Sequence, residues 1–320
     1  MGKRIVLIDC DPGVDDAVML AYAAAHRAEL DVRMISVVSG NQSIDKVTGN
    51  ALKLAAFYRM DVPVAKGADG PLVRKPEYAP ETHGDSGIGN CVLPETEKKA
   101  EPEHSVLCMK KCLDELGEDQ RADIVATGPL TNIALLLKLF SEAKNKIRQI
   151  LFMGGSFSGG NVTPAAEFNM YTDPEAAKIV LHSGVPLVMA GLDVTEQCTL
   201  TRAQILKLCQ SGNPAARVCG DMMGFSLENS SEKYRGETSV HDVVPLMYLL
   251  QPSIFEGGKK LAEVDCSDGA GRGATLGGFY WWRNEESEAN VFVLTSVKQE
   301  QFRQELIAAL YELGAGLAGA

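Results

Sequence analysis

Four aspartates crowd a short segment near the amino terminus, between an apolar run typical of a buried strand and one typical of a helix. They are Asp9, Asp11, Asp15 and Asp16, and they lie between the strand candidate Ile5–Ile8 and the apolar run Ala17–Ala25. A strand leading directly into a helix is the repeating unit of parallel α/β sheets, whose buried strands are nearly continuous apolar runs. Like charges beside a core are unfavourable unless a cation or hydrogen-bond donors offset them. The segment therefore predicts a strand-to-helix turn that holds something positive.

Helix capping explains part of this cluster. Asp11 is a candidate N-cap, Pro12 suits the first helical position, and Asp15 and Asp16 favour the positive end of the helix dipole. Capping accounts for one or two of the four carboxylates and leaves the others unexplained.

A hard cation is the other interpretation. Side chains alternate along an extended Asp9-Cys10-Asp11 segment, which puts both aspartates on one side and Cys10 in the core. An all-oxygen group without a nearby histidine or paired cysteine favours Ca²⁺ or Mg²⁺ over zinc. The spacing does not match an EF-hand, because Gly13 stands where a third ligand would be expected.

Strand-like and helix-like runs alternate over the first two hundred residues, which predicts an α/β fold with a mostly parallel, Rossmann-like central sheet flanked by helices. The strand candidates are Ile5–Ile8, Arg33–Val38, Val62–Ala65, Ile124–Thr127, Ile150–Met153 and Val185–Ala190. The helix candidates are Asp15–His26, Ile44–Arg59, Glu103–Leu116, Thr131–Phe140, Pro174–Ser183 and Arg202–Gln210, with Asp173 capping the helix that starts at Pro174.

Several segments depart from this alternation. Gly67–Glu103 and Ser211–Ser239 have the composition of peripheral insertions that frame a site. Gly273–Val297 is predicted to form a β-hairpin, followed by an amphipathic helix at Glu300–Leu313. We interpret residues 1–320 as a single catalytic domain. The aromatic residues Phe279, Tyr280, Trp281 and Trp282 are expected to stabilise the hairpin or a subunit contact.

The charge balance limits the partners. Lysine and arginine number 31 against 42 acidic residues, a net charge of -11, which argues against a nucleic acid or an anionic membrane surface. No apolar run reaches membrane-spanning length, no signal peptide is recognised, and the eight cysteines include no CxxC pair. We expect a reduced cytoplasmic protein that acts on a small molecule.

Small and polar motifs follow several of the strand candidates. They are SGNQ at Ser39–Gln42, HGDSGIG at His83–Gly89, ATGPLTN at Ala126–Asn132, MGG and AEFN within Met153–Asn169, DPEAA from Asp173, and VHD at Val240–Asp242. Together with DCDPGVDDA at Asp9–Ala17 and in this order, they resemble the nucleoside hydrolases, the inosine-uridine-preferring N-ribohydrolases. The resemblance is clear over roughly residues 4 to 250. It implies hydrolysis of a ribonucleoside to free base and ribose in nucleoside catabolism or salvage.

The resemblance also implies a metal site. One Ca²⁺ would be bound by the carboxylates of Asp11, Asp16 and Asp242 and by the backbone carbonyl of Thr127, with water and ribose hydroxyls as further ligands. Asp11 would act as general base for water attack on C1′, through an oxocarbenium-like transition state. This set of ligands agrees with the oxygen-only cation site inferred above from the turn that carries Asp9, Asp11, Asp15 and Asp16, which we call the aspartate turn.

The substrate contacts implied by the resemblance come from carboxylate, amide and histidine side chains. Asp15 and Asn169 would bind the ribose 2′- and 3′-hydroxyls and Glu167 and Asn161 the 5′-hydroxyl, with Asn41 and Asp242 in the same pocket. His241 would lie near the leaving base and protonate or polarise it, since its neighbour Asp242 would hold it there. The alternative for His241 is a hydrogen-bonded interior histidine.

The contacts to the base follow less directly from the sequence. His83 borders a loop and is a candidate, and Phe157 could supply an apolar wall or pack in the core. The segment before VHD offers Asn229, Lys233 and Tyr234. Purine and pyrimidine preference therefore stays open, and family members suggest a homodimer or homotetramer.

Two other functions compete with this one. A Mg²⁺ phosphohydrolase with a DxD motif would use Asp9 as nucleophile and would need a later lysine and acidic pair. A nucleoside or ribose sensor would keep the ion and sugar contacts without hydrolysis, although binding alone requires neither a general base nor an acid.

Overall fold

The computed structural model describes residues 2–89, 91–229, 236–277 and 288–318, and an eight-stranded sheet forms its centre. In chain order the strands are β1 (Arg4–Cys10), β2 (Leu30–Val37), β3 (Val64–Lys66), β4 (Ala122–Ala126), β5 (Ile147–Met153), β6 (Leu187–Ala190), β7 (Thr199–Thr201), β8 (Glu237–Ser239), β9 (Phe255–Lys260), β10 (Ala262–Val264), β11 (Thr275–Gly277) and β12 (Val291–Val297). The order in the main sheet is β3-β2-β1-β4-β5-β6-β12-β9. Neighbours run parallel except β12 and β9.

Twelve helices are named here in chain order. They are α1 (Val14–Ala25), α2 (Ile44–Phe57), α3 (Pro80–His83), α4 (Ser105–Asp114), α5 (Thr131–Leu139), α6 (Phe168–Thr172), α7 (Pro174–Leu181), α8 (Leu192–Thr195), α9 (Arg202–Cys209), α10 (Pro214–Asn229), α11 (Val243–Leu250) and α12 (Gln299–Ala318). Short 3-10 helices span Ser141–Lys146 and Pro252–Ile254.

The sheet separates two hydrophobic cores, and β1 shows why. Val6, Ile8 and Cys10 pack on one face with residues of α1, α2, α10, α11 and α12. Ile5 and Leu7 pack on the other face with residues of α4, α5 and α7. Because successive side chains of a strand point to opposite faces, an uninterrupted apolar run suits a strand covered on both sides. The predicted α/β fold, with a mostly parallel central sheet flanked by helices, is confirmed, and Cys10 lies in the core as predicted.

The start of α1 differs from the expected capping. Gly13 is the N-cap and Val14 the first helical residue, so the assignment of Asp11 as N-cap and Pro12 as first helical residue is wrong. The N–H of Gly13 donates to Asp16 Oδ2 at 2.9 Å. Asp16 therefore supplies the acceptor for the helix start, and Asp11 is left for other contacts.

The prediction for Asp173 is confirmed. Its Oδ1 accepts from the N–H of Ala176 at 3.0 Å, the expected contact of an N-cap residue before Pro174.

The predicted hairpin at Gly273–Val297 is wrong. β11 pairs with β10 in a separate two-stranded sheet, whereas β12 lies between β6 and β9 in the main sheet. β12 buries Val291 and Val293, which suits an inner strand. β9, with the sequence FEGGKK, carries the glycines and lysines typical of an edge strand. The aromatic residues Phe279 to Trp282 lie outside the described residues.

The sheet topology places a site near β1. The chain leaves β1 towards β2 and β3 on one side and returns to β4, β5 and β6 on the other. In open parallel sheets, ligands bind outside the carboxyl ends of the strands at this change of direction. The aspartate turn follows β1, and Thr127 follows β4, at that point.

No helix within the described ranges is both long enough and apolar enough to cross a membrane.

Candidate active site

A cavity of about 300 Å³ opens outside the carboxyl ends of the central strands. It is lined by Val14, Asp15, Asn41, Ala79, Thr82, His83, Thr127, Met153, Asn161, Val162, Glu167, Phe168, Asn169, Leu192, Glu196, Ser226, Ser239, His241 and Asp242. These residues come from the turn after β1, from loops after β2, β4, β5 and β6, and from both segments predicted to be insertions. Side chains distant in the sequence therefore meet in one pocket.

Three carboxylates are grouped at the cavity, and two of them, Asp15 and Asp242, line it. Asp15, Asp16 and Asp242 are buried, and one oxygen of each lies within 4.8 Å of the others. Thr127 Oγ1 donates to Asp16 Oδ1 at 2.7 Å, and Asn41 Nδ2 donates to Asp16 Oδ2 at 3.3 Å. Hydroxyl and amide groups thus orient Asp16 without neutralising its charge.

Asp11 is 1% exposed and does not itself line the cavity. Its Oδ2 accepts from the N–H of Asn41 at 2.7 Å, while its Oδ1 has no hydrogen-bond donor among the described residues. A Cβ on Gly40 would lie 2.1 Å from Asp11 Oδ2, and one on Gly128 would lie 2.6 Å from Oδ1. Glycine at these two positions lets the backbone approach the carboxylate from both sides.

The electrostatics of the cluster are unfavourable without a cation. Burial, and then the charge of Asp16, raises the pKa of Asp11 well above its usual value. Burial, and then Asp15, raises the pKa of Asp16 to about 6. Burial, and then the charges of Asp15, Asp16 and Asp11, raises the pKa of Asp242 well above its usual value. A bound divalent cation offsets repulsion of this kind between buried carboxylates.

Amide and carboxylate groups form a second wall. Asn169 Nδ2 donates to the carbonyl of Thr127 at 2.9 Å, and the oxygens of Glu167 accept from the N–H groups of Asn169 and Gly155, each at 2.9 Å. Burial raises the pKa of Glu167, and these backbone donors oppose the shift. Asn161 Oδ1 accepts from the N–H of Phe168 at 3.0 Å. The wall is held by backbone contacts, so its polar groups have fixed positions.

Two histidines face the same cavity. His241 Nδ1 lies 2.8 Å from Thr195 Oγ1, and its Nε2 has no partner among the described residues. His83 Nδ1 accepts from the N–H of Val14 at 3.3 Å. Burial lowers the pKa of His83, and the charge of Asp15 opposes this shift. A Cβ on Gly13 would lie 2.5 Å from His83 Nδ1, so the turn after β1 allows this approach only with glycine there.

Two other candidate base contacts, Phe157 and Asn229, do not line the cavity. Phe157 is 37% exposed, and its ring occupies the space that a Cβ on Gly277 would need. Asn229 is exposed, and its Nδ2 donates to the carbonyl of Phe225 at 2.8 Å, within α10. Lys233 and Tyr234 lie outside the described residues.

Asp9 does not belong to the cavity. It is 0% exposed, and its Oδ1 accepts from Ser36 Oγ and, at 2.8 Å, from Asn132 Nδ2. Burial raises the pKa of Asp9 to about 7, although these two donors oppose the shift. No lysine lines the cavity in the part of the chain that the structure describes. A DxD phosphohydrolase would need Asp9 as an accessible nucleophile, and this geometry does not provide one.

Sequence reasoning missed several residues of the site. Thr195, which contacts His241, follows β6 in a DVT segment with no signal of its own. Asn132, from the ATGPLTN motif, lies outside the cavity lining; it donates to Asp9, Ser36 and the carbonyl of Val37, and accepts from the N–H of Ala68. Further lining residues without a sequence signal are Thr82, Glu196, Ser226 and Ser239.

A family model described as inosine-uridine preferring nucleoside hydrolase matches residues 6–304. The chain belongs to this family. The resemblance predicted from the motifs is therefore confirmed, and this nucleoside hydrolase is an N-ribohydrolase.

Related proteins agree with this assignment. The pyrimidine-specific ribonucleoside hydrolase RihB of Escherichia coli is 39% identical over 278 residues, covering 86% of this chain and 88% of the relative. The pyrimidine-specific ribonucleoside hydrolase RihA of Salmonella schwarzengrund is 40% identical over 291 residues, covering 90% and 93%. A purine-preferring ribonucleoside hydrolase from Gardnerella vaginalis has a TM-score of 0.89 at 29% identity, covering 97% of this nucleoside hydrolase and 99% of that chain.

Proposed function

We propose that the enzyme is a Ca²⁺-dependent hydrolase of pyrimidine ribonucleosides that releases free base and ribose. The observation that carries this proposal is the buried group of Asp15, Asp16 and Asp242, two of which, Asp15 and Asp242, line one cavity with His241. The carboxylates suit a cationic sugar, and the histidine suits a leaving base. Both are needed where an oxocarbenium-like centre forms as a poor leaving group departs.

The donor groups fit a hard divalent cation. Asp11 Oδ1 and Asp15 Oδ1 are buried and have no hydrogen-bond donor among the described residues. Buried carboxylate oxygens without a donor are costly, and a cation satisfies them. We assign the ion to Asp11, Asp16, Asp242 and the carbonyl of Thr127, because oxygen-only sites with several carboxylates suit Ca²⁺.

Asp11 is the proposed general base. When bound, Ca²⁺ supplies positive charge that offsets the carboxylates and orients hydroxyl and water oxygens. Asp11 Oδ1 accepts the proton of a water molecule as that water attacks C1′ and the N-glycosidic bond breaks. The electron pair of that bond leaves with the base. The rigid contacts of Asp11 to the N–H of Asn41 and to Gly40 keep the carboxylate in place.

The ribose is held by groups on two walls. We assign the 2′- and 3′-hydroxyls to Asp15 and Asn169, and the 5′-hydroxyl to Glu167 and Asn161, with Asn41 beside them. All five side chains line the cavity. Their hydrogen-bonding oxygens and amides can hold the sugar so that C1′ faces Asp11, and orientation of this kind lowers the barrier.

His241 acts on the base. Its Nε2 donates a hydrogen bond or a proton to the leaving base, which would otherwise depart as an anion. His83, in the same cavity, can add a second contact to the base. Thr82, Ser226 and Ser239 offer hydroxyl groups to the polar edge of the ring.

Pyrimidine preference rests on the relatives. The two at 39% and 40% identity are named pyrimidine-specific, whereas the purine-preferring hydrolase is 29% identical. The released base and ribose would enter nucleoside catabolism or salvage.

A substrate panel tests the proposal. Uridine, cytidine, inosine, adenosine and guanosine are incubated with the enzyme before and after metal stripping, and free ribose is measured. We expect uridine and cytidine to react fastest and Ca²⁺ to restore the stripped enzyme. Full activity without a divalent ion would contradict the metal assignment, and faster purine release would contradict the base preference. Nucleoside binding by calorimetry without ribose release would favour a sensor.

The assembly and compartment are proposals too. All eight cysteines are free, which suits a reducing cytoplasm. We propose a single catalytic domain, since the first strand, β1, and the last, β12, belong to the same eight-stranded sheet. We also propose a homodimer or homotetramer, which sedimentation analysis can test.

A further inference from the structure

We propose that Thr195 is a positioning residue that fixes the tautomer of His241, so that the neutral imidazole carries its proton on Nε2, towards the cavity. The proposal rests on the proposed function, because it takes His241 as the group that contacts the leaving base. It adds a residue that acts on the reaction through another side chain.

The position of Thr195 is fixed by its backbone. It is 0% exposed and ends α8, where its N–H donates to the carbonyl of Gly191 at 3.0 Å and its carbonyl accepts from the N–H of Cys198 at 3.0 Å. α8 begins at Leu192, whose N–H donates to the carbonyl of Gly155 at 2.9 Å. The Thr195 hydroxyl is therefore presented to His241 from a constrained segment.

The hydrogen-bonding capacity of the two groups selects the tautomer. Thr195 Oγ1 lies 2.8 Å from His241 Nδ1 and has no other partner among the described residues. If Nδ1 carried the proton and donated it, the buried hydroxyl hydrogen of Thr195 would have no acceptor, which is costly. If the hydroxyl donates to Nδ1, both groups are satisfied, and the neutral ring must then carry its proton on Nε2.

The consequence of this tautomer is that the neutral His241 ring keeps a hydrogen-bond donor, Nε2–H, for the substrate. Nε2 belongs to a ring that lines the cavity and has no partner in the described part of the chain. With Nδ1 as acceptor, Nε2–H can stabilise the charge that develops on the base without prior rearrangement of the ring. Preorganised donors of this kind act on the transition state more than on the bound substrate, so the effect should appear in kcat.

Threonine variants separate this role from packing. Thr195→Val keeps the shape and removes the hydroxyl, and we expect kcat for uridine to fall about 10-fold to 100-fold while KM changes little. Thr195→Ser keeps the hydroxyl and should retain most of kcat. The matched control is Thr48→Val in α2, since Thr48 is also buried and its Oγ1 has no partner among the described residues. Its kcat should be unchanged.

A spectroscopic readout tests the tautomer without relying on activity. Nitrogen NMR of the full-length protein at a pH where the imidazole is neutral, assigned with His241→Ala, should show a protonated Nε2 and an unprotonated Nδ1. Thr195→Val should show a mixture. A protonated Nδ1 in the wild type, or wild-type kcat in Thr195→Val, would overturn the proposal.

Kinetics of the double variant show whether the two residues act together. Thr195→Val in a His241→Ala background should cost nothing further, because the residue that it positions is gone. An additional loss of kcat would contradict the positioning role. An inactive wild type would contradict the proposed function itself, and the NMR signature would still decide the tautomer.

Discussion

Buried carboxylates have different partners at the two ends of the central sheet. Near the amino end of β4, Asp123 is 0% exposed, and its oxygens accept from Arg148 Nη1 and Gln149 Nε2, both at 3.0 Å. Arg4 Nη1 lies 3.7 Å away. At the carboxyl end of the same sheet, the buried Asp11 and Asp242 have no such partner, and no lysine or arginine lines their cavity within the described residues.

The difference appears in the causes of the pKa shifts. Burial raises the pKa of Asp123, while Arg148, Gln149 and Arg4 all lower it. For Asp242, burial and every neighbouring aspartate act in the same direction and raise the pKa. The chain thus neutralises a buried carboxylate where it serves the structure. At the cavity it supplies no lysine or arginine side chain within the described residues, which is why a cation is part of the proposed function.

Asp11→Asn should have the largest effect. An amide cannot accept the proton of the attacking water, so we expect kcat for uridine to fall by at least about 10³-fold, with the fold intact. Ribose release measures the rate and circular dichroism checks the fold. A near-normal kcat would remove Asp11 as the general base.

A pH series tests how the carboxylates at the carboxyl end of the sheet affect stability. In the folded protein the pKa of Asp16 is raised to about 6, so the folded state favours the protonated carboxyl. In metal-free protein the stability that this protonation contributes is fully present below about pH 4 and is lost as the pH rises through about 6. A shift of roughly two pKa units corresponds to on the order of 3 kcal/mol. Urea unfolding of stripped and Ca²⁺-loaded enzyme should show the stabilisation by Ca²⁺ growing across this range.

The control for that series is Asp16→Asn, which should weaken the pH dependence of the stripped enzyme, while Asp11 and Asp242 continue to contribute to it. A benefit of Ca²⁺ that stays constant from about pH 4 to about pH 7 would contradict the assignment of the ion to these carboxylates.

Asp123→Asn should have the smallest effect, and on stability alone. The variant loses charge-assisted contacts to Arg148 and Arg4, and we expect the free energy of unfolding to fall by about 1–2 kcal/mol with kcat unchanged. Urea unfolding and uridine kinetics measure the two quantities. A large loss of kcat would show that the two ends are coupled and would break the comparison.

The sequence predicted the sheet because its strands are apolar on both faces. Alternation along β1 correctly placed Cys10 in the core, and the motif order led to the family. The loops after parallel strands meet at one edge, so Asp15, Asn41, Glu167, Asn169 and Asp242, which those motifs contain, come together in the cavity. Patterns that depend on neighbours in sequence were therefore informative.

Features that depend on partners distant in the sequence were not predicted. The hairpin prediction was wrong because β11 and β12 each pair with strands earlier in the chain. The apolar pattern of a strand does not indicate which other strand it pairs with. Asn229 was misplaced because α10 extends to it and turns its amide back to Phe225. The contact of Thr195 with His241 depends on α8 approaching the segment before α11, which no local pattern records.

The acidic pocket draws its members from opposite parts of the chain, with Asp16 in the first helix and Asp242 just before α11. During synthesis, a ribosome must release most of the polypeptide before these two can meet. The nascent amino-terminal half therefore never experiences their mutual repulsion, because contacts of such long sequence separation form late. A folding intermediate that lacks α11 is accordingly free of the repulsion between Asp16 and Asp242.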